Sequence, residues 1–262
     1  MKLINIIEKE YTGVSKTVVN SIVSPKKDEK LEYALMPLQN TYAKGVHTLR
    51  NSYVRKEEVP SQLWYKSNGQ KLVRPLSFRE NLLARVDNFE TLKNKDGSVR
   101  TMEERLKFFN MWFDSCTGLA YSSQNENDFM IISICEELII MPENFRKEYL
   151  LIDYTHFQSK GFSLKRSQAK YCQALTHSEV ITHPAWIASV EEDIGLLCTY
   201  ASIVFDQTNE RRNESMSFYL KDKMEKDQLR GMFVSNLDDS SFASASNYFY
   251  VDSSFLRAAP LS

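Results

Sequence analysis

Two short motifs constrain this chain most. Ser77-Phe78-Arg79-Glu80 and Thr101-Met102-Glu103-Glu104 each place a hydroxyl three residues before a glutamate. At that spacing the hydroxyl accepts from the third helical amide and the carboxylate accepts from the cap amide, so two orphan donors of a helix start are satisfied together. Behind the first box Phe78, Leu82, Val86, Phe89 and Leu92 recur at helical spacing, with Leu83 beside them. Behind the second come Met102, Leu106, Phe109 and Phe113. Lys95-Asp96-Gly97-Ser98 between them reads as a turn. The expectation is two antiparallel helices joined by a short turn, with the aromatic run Phe108, Phe109, Trp112 and Phe113 packed as core.

The same periodicity extends the helical reading along the chain. Residues 1–30 form a basic, weakly amphipathic leader to a helix over Leu31 to about Tyr53, kinked at Pro37. Pro142 and Pro184 suit helical first turns, Ser163 suits the cap of a helix through His177, and the charged span from Glu210 to about Phe233 is rich in helix formers. Phe129 to Met141 fits either a buried strand followed by a helix or one buried helix. The one clear exception is an Asn68-Gly69 pair between short apolar-polar stretches, which predicts a β-hairpin over about residues 62–73. The predicted fold is therefore mainly α: a helical bundle-like body over residues 1–234 with that small hairpin, followed by an extended Ser/aromatic C-terminal arm over 235–262.

Several functions lack their sequence signature. The eight glycines are scattered singly, so neither a P-loop nor a dinucleotide-binding fingerprint is present. The longest apolar runs stop at Glu136 and Glu137, far short of the ~20 residues that span a bilayer. Cys116, Cys135, Cys172 and Cys198 are widely spaced and read as core thiols of a cytoplasmic protein. No two histidines stand four apart, so no cofactor and no metal is expected.

Charge is uneven along the chain. Residues 40–110 carry 14 basic and 8 acidic side chains, residues 111–161 carry 3 and 8, and residues 184–210 carry none and 5. The positive stretch holds Arg74, Arg79, Arg85, Lys93, Lys95, Arg100, Arg105 and Lys107 as a candidate basic face. Such a face pairs with an acidic face of a second copy, or lies along nucleic-acid phosphates. In the arm, Phe242, Tyr248, Phe249, Tyr250 and Phe255 are candidate contact residues for a neighbouring subunit.

Three functions follow. The favoured one is a non-enzymatic assembly protein whose partners are copies of itself or other assembly proteins, in the setting of a head-tail connector ring of a tailed phage in its host cytoplasm. The second is a Mg²⁺-dependent nuclease of restriction-enzyme type. It would use Glu137, Asp153, Gln158 and Lys160, an acid followed by an amide, any residue and a lysine, although only four residues separate Asp153 from Gln158. The third is a nucleic-acid-binding or inhibitor protein that presents the basic hairpin of residues 74–107.

Overall fold

All nine residues of Phe113–Tyr121 are buried, and a segment covered on both faces shows no alternation of apolar and polar residues. In the computed structural model this segment is a central strand of a curled mixed sheet. The structure describes residues 32–37, 64–67, 70–73, 76–94, 96–125, 128–135, 137, 149–169, 173–208, 215–221, 224–245 and 254–259.

The strands in chain order are β1 (Glu32–Pro37), β2 (Trp64–Ser67), β3 (Gln70–Val73), β4 (Phe113–Tyr121), β5 (Asp128–Ile132), β6 (Leu150–Leu151), β7 (Phe162–Lys165), β8 (Phe218–Tyr219), β9 (Gln228–Val234), β10 (Ala243–Ser244) and β11 (Ser254–Ala259). The helices are α1 (Phe78–Glu90), α2 (Met102–Leu106), α3 (His177–Val180), α4 (Pro184–Ser189) and α5 (Ile194–Thr208). Short 3-10 turns occupy Tyr154–Phe157 and Arg166–Gln168.

The main sheet runs β1-β11-β4-β9-β10-β8, and β4 also pairs with β5, which pairs with β7. β11 lies parallel to β4 and β10 parallel to β8, while the remaining pairs are antiparallel. One register row crosses β4, β9, β10 and β8 as Phe113, Val234, Ala243 and Phe218. All four are buried in the larger core, against α1, α4 and α5. There Phe78 meets Trp186 at 5.6 Å, and Trp186 meets Phe218 edge-on at 6.0 Å. The other face carries Ala120, Met130, Ile132 and Leu229, covered by Tyr154 and Phe157.

Between Asp114 and Gly118, β4 bulges away from its register with β9. Side chains take over there. The Ser115 hydroxyl donates to Met232 O at 2.6 Å and Thr117 Oγ1 donates to Ser133 O at 2.7 Å while accepting from the Phe78 amide at 2.8 Å. The bulge therefore anchors the first turn of α1 to the sheet. Both capping boxes form as predicted, Ser77 with Glu80 and Thr101 with Glu104.

The mainly α, helical bundle-like reading is corrected by this sheet. Leu31 to Tyr53 contributes strand β1 where a helix was expected, and the supposed helix over 163–177 contributes β7 and a 3-10 turn. The charged span from Glu210 to Phe233 yields β8 and β9, with Lys221, Glu225 and Lys226 in the connection. The second helix ends at Leu106, so Phe109 and Phe113 lie beyond it. The apolar stretch from Trp186 to Phe205 is two helices, broken where Glu191 and Glu192 take positive φ of 56° and 63°. Asp193 then accepts from the Leu196 amide at 3.0 Å and starts α5.

Chain past residue 234 joins the same sheet, through β10 beside β9 and β11 beside β4. The β2/β3 hairpin pairs Trp64 with Val73 through Ser67 with Gln70.

Candidate interaction surface

Thr91, the C-cap of α1, donates backbone N–H and hydroxyl to Asp87 O at 3.1 and 2.7 Å. The chain then makes a short ladder. Arg100 N donates to Leu92 O and Asn94 N to Ser98 O, both at 2.9 Å, so Lys93 and Val99 stand opposite each other. Gly97 turns the chain at φ 85°, a conformation that favours glycine. The Asp96 carboxylate accepts from the Ser98 hydroxyl at 2.7 Å and the Ser98 amide at 2.9 Å, and these two bonds hold it below the usual carboxylate range.

Three side chains brace the tip from behind. Arg100 donates to Asn88 O at 2.7 Å, Asn88 Oδ1 at 2.8 Å, Thr91 O at 3.3 Å and Glu104 O at 2.6 Å. Asn88 donates in turn to Glu104 O and Arg105 O at 3.1 and 2.7 Å. Arg105 donates to Phe89 O at 2.7 Å, with its guanidinium 4.3 Å from the Phe89 ring. The first turn of α2 is thereby tied to the last turn of α1.

This braced tip carries Val99 at 77% exposure, Leu92 at 59% and Met102 at 48%, three of the four large apolar side chains that stand exposed among the described residues. Leu92 and Met102 were both expected on inner faces. Leu92 lies two residues past the last helical turn, so helical spacing no longer applies to it, and Met102 sits on a helix of five residues with no buried position. The legible signal was the Asp96-Gly97 turn, which ends α1 early and carries residues 92–102 beyond the core.

The basic face comes apart in three dimensions. Arg85 is fully buried and Arg79 pairs with Asp193 at 2.7 Å. Arg100 and Arg105 are taken up by backbone carbonyls, as above. Lys93 and Lys107 are exposed. Arg74 and Lys95 lie outside the described residues.

Of the nuclease residues, Glu137 and Lys160 meet at 2.9 Å. Burial raises the Glu137 carboxyl, but the Lys160 ammonium, a backbone amide and the Cys135 thiol, at 3.3 Å, outweigh it and hold the group below its usual range. Lys160 also stands 4.8 Å over the Phe157 ring. Asp153 instead caps the 3-10 turn of 154–157, accepting from the Thr155 amide and hydroxyl at 3.0 and 2.6 Å, and Gln158 closes that turn. Among the described residues no group of three or more His, Cys, Asp or Glu side chains gathers to hold a metal ion.

In the arm, Phe242 packs within its own chain against Trp112 at 5.5 Å, Phe233 at 5.8 Å and Tyr219 at 4.9 Å. Phe255 lies on β11, in register with Asp114 of β4. Tyr248, Phe249 and Tyr250 lie outside the described residues. Among the described residues no helix is long and apolar enough to cross a membrane.

No protein-family model matches the chain, and no curated protein matches it in sequence. One solved structure, described as "Accommodation of massive sequence variation in Nanoarchaeota by the C-type lectin fold", is similar over 90% of this chain and 99% of its own, with a TM-score of 0.51 and 11% identity. The likeness shows that the chain has a C-type lectin-like fold.

Proposed function

We propose that this chain is a non-enzymatic binding protein that engages another protein through the tip formed by residues 91–102. The observation that carries the proposal is the combination at that tip of exposed Leu92, Val99 and Met102 with a backbone already fixed by Arg100, Asn88 and the Thr101 box. Exposed apolar side chains grouped on one feature mark interaction sites, and a surface ordered before binding loses less entropy on association. This keeps the class expected from the charge pattern, a protein that works through contacts with other proteins, and centres the contact on the tip. The C-type lectin-like frame suits such a role, because its similarity to a structure at 11% identity puts the fold in the core and leaves the surface to specificity.

A photo-crosslinking side chain placed at position 99 tests this. In extract of the native cells it should give a discrete cross-linked product that the same group at exposed Ser202 does not give, and Leu92→Ser with Met102→Ser should abolish it. A protein that remains monomeric and yields no product specific to position 99 would overturn the reading.

A further inference from the structure

Arg85 on α1 has no accessible surface. Its five N–H groups can be accounted for one by one. One terminal nitrogen donates to the Tyr200 hydroxyl and to Ser235 O, both at 2.9 Å. The other donates to Met111 O at 2.7 Å and Val234 O at 3.4 Å. The Phe113 and Phe109 rings lie 5.2 and 5.8 Å from the guanidinium carbon. The remaining Nε–H has no hydrogen-bond partner among the described residues.

Asn81 stands one turn earlier on the same face of α1 and is also fully buried. Its Nδ2 donates to Asp114 O at 3.4 Å, which fixes the amide orientation because a carbonyl can only accept. The Asn81 Oδ1 therefore faces away from that carbonyl, and it has no partner among the described residues. An orphan donor and an orphan acceptor thus share one helix face against the start of β4, since Met111 and Asp114, the carbonyls beside them, are three residues apart.

We infer that a single buried water molecule bridges Arg85 Nε–H and Asn81 Oδ1 in the seam between α1 and β4. Water fits both groups, because it accepts from the guanidinium and donates to the amide oxygen, and buried waters characteristically satisfy two to four such groups. An apolar filler fits neither. The water completes the shell of a buried cation whose other partners are neutral dipoles, and it belongs to the frame that holds Met111 and the base of the tip.

The test uses the full chain labelled with ¹⁵N-arginine. The Arg85 Nε–H resonance should exchange slowly with solvent and show a nuclear Overhauser cross-peak to a long-lived water. In Asn81→Leu, which removes the amide while keeping the same branch point and heavy-atom count, that cross-peak should vanish while the dispersion of core resonances persists. A crystal structure of the unmodified chain should place a water within about 3.2 Å of both atoms. A wild-type Nε–H with no water cross-peak, or density showing Asn81 Oδ1 bonded directly to Nε, would overturn the inference even if the variant fails to fold.

Discussion

Tyr121 offers a quantitative check on how deeply the sheet is buried. It is the last residue of β4, 1% exposed, opposite Phe129 on β5 and Gln228 on β9. Its ring stacks on Phe129 at 6.4 Å and its hydroxyl accepts from the Lys221 amide at 3.3 Å. Burial pushes the phenol up to about 12, and that bond together with the charges of Arg166 and Arg230 offsets only part of the rise. In the unfolded chain the same phenol titrates near 10. A group whose folded value is raised contributes stability that is present below the unfolded value and lost as pH climbs through the folded one. The difference between 10 and about 12 is worth about 2.7 kcal/mol at the limit, of which about 1.4 kcal/mol is already lost at pH 11. Tyr121→Phe removes this loss. It also leaves the Lys221 amide without its acceptor, a cost of about 1 kcal/mol at neutral pH. Urea unfolding followed by circular dichroism at pH 8 and pH 11 should therefore show the variant about 1 kcal/mol less stable than wild type at pH 8 and level with it at pH 11. Tyr154, also raised to about 12 by burial with help from Asp128 and Asp227, titrates in both proteins and cancels from the comparison. Parallel pH dependences would refute the burial argument.

Other expectations follow from single contacts. A Cβ on Gly161 would lie 2.2 Å from Ile131 O, which is backbone, whereas a Cβ on Gly118 meets the end of the Leu229 side chain at 2.8 Å. Gly161→Ala should thus cost about 3 kcal/mol and Gly118→Ala about 1 kcal/mol, read as shifts of the urea midpoint. Thr101→Ala removes one capping box at about 1 kcal/mol and should speed amide exchange in residues 102–106 while leaving β4 protected. Asp227 accepts from the Ser123 amide and hydroxyl, both at 2.7 Å, and from the Tyr154 amide at 3.1 Å. Burial raises its carboxyl, but those three donors prevail and hold it below the usual range. Its contribution is therefore present above about pH 4 and lost as pH falls further, and Asp227→Asn should flatten that part of the acid unfolding curve.

The parts of this fold that were legible in the sequence are those decided by neighbours in the chain. The Ser77 and Thr101 boxes and the Asp96-Gly97 turn depend on residues two to four apart, and each forms as expected. What failed depends on partners far away. β9 packs Leu229 to one side of the sheet and Met232 and Val234 to the other, and all seven of its residues are buried, so the period of two that marks a strand is erased. Its pairing with β4 spans more than a hundred residues and leaves no local trace. Helix-forming residues such as Glu225 and Lys226 then tipped the reading toward helix, although they sit in the turn that feeds the strand.

The candidate basic face failed for a related reason. Sequence position counts a guanidinium as surface charge, but four arginines of the 74–107 stretch are spent inside the molecule. Arg79 pairs with the cap of α5, Arg85 crosses the core to carbonyls of β9 and its flank, and Arg100 and Arg105 fasten two helix ends together. Arginine suits this work because its planar fork satisfies several carbonyls at once. The charge of Arg100 and Arg105 that looked available for a partner instead stiffens the tip, which leaves Leu92, Val99 and Met102 in solvent beside Lys93. The surface a partner meets is thus best read from what the polar groups have not already bound, which only the folded arrangement reveals.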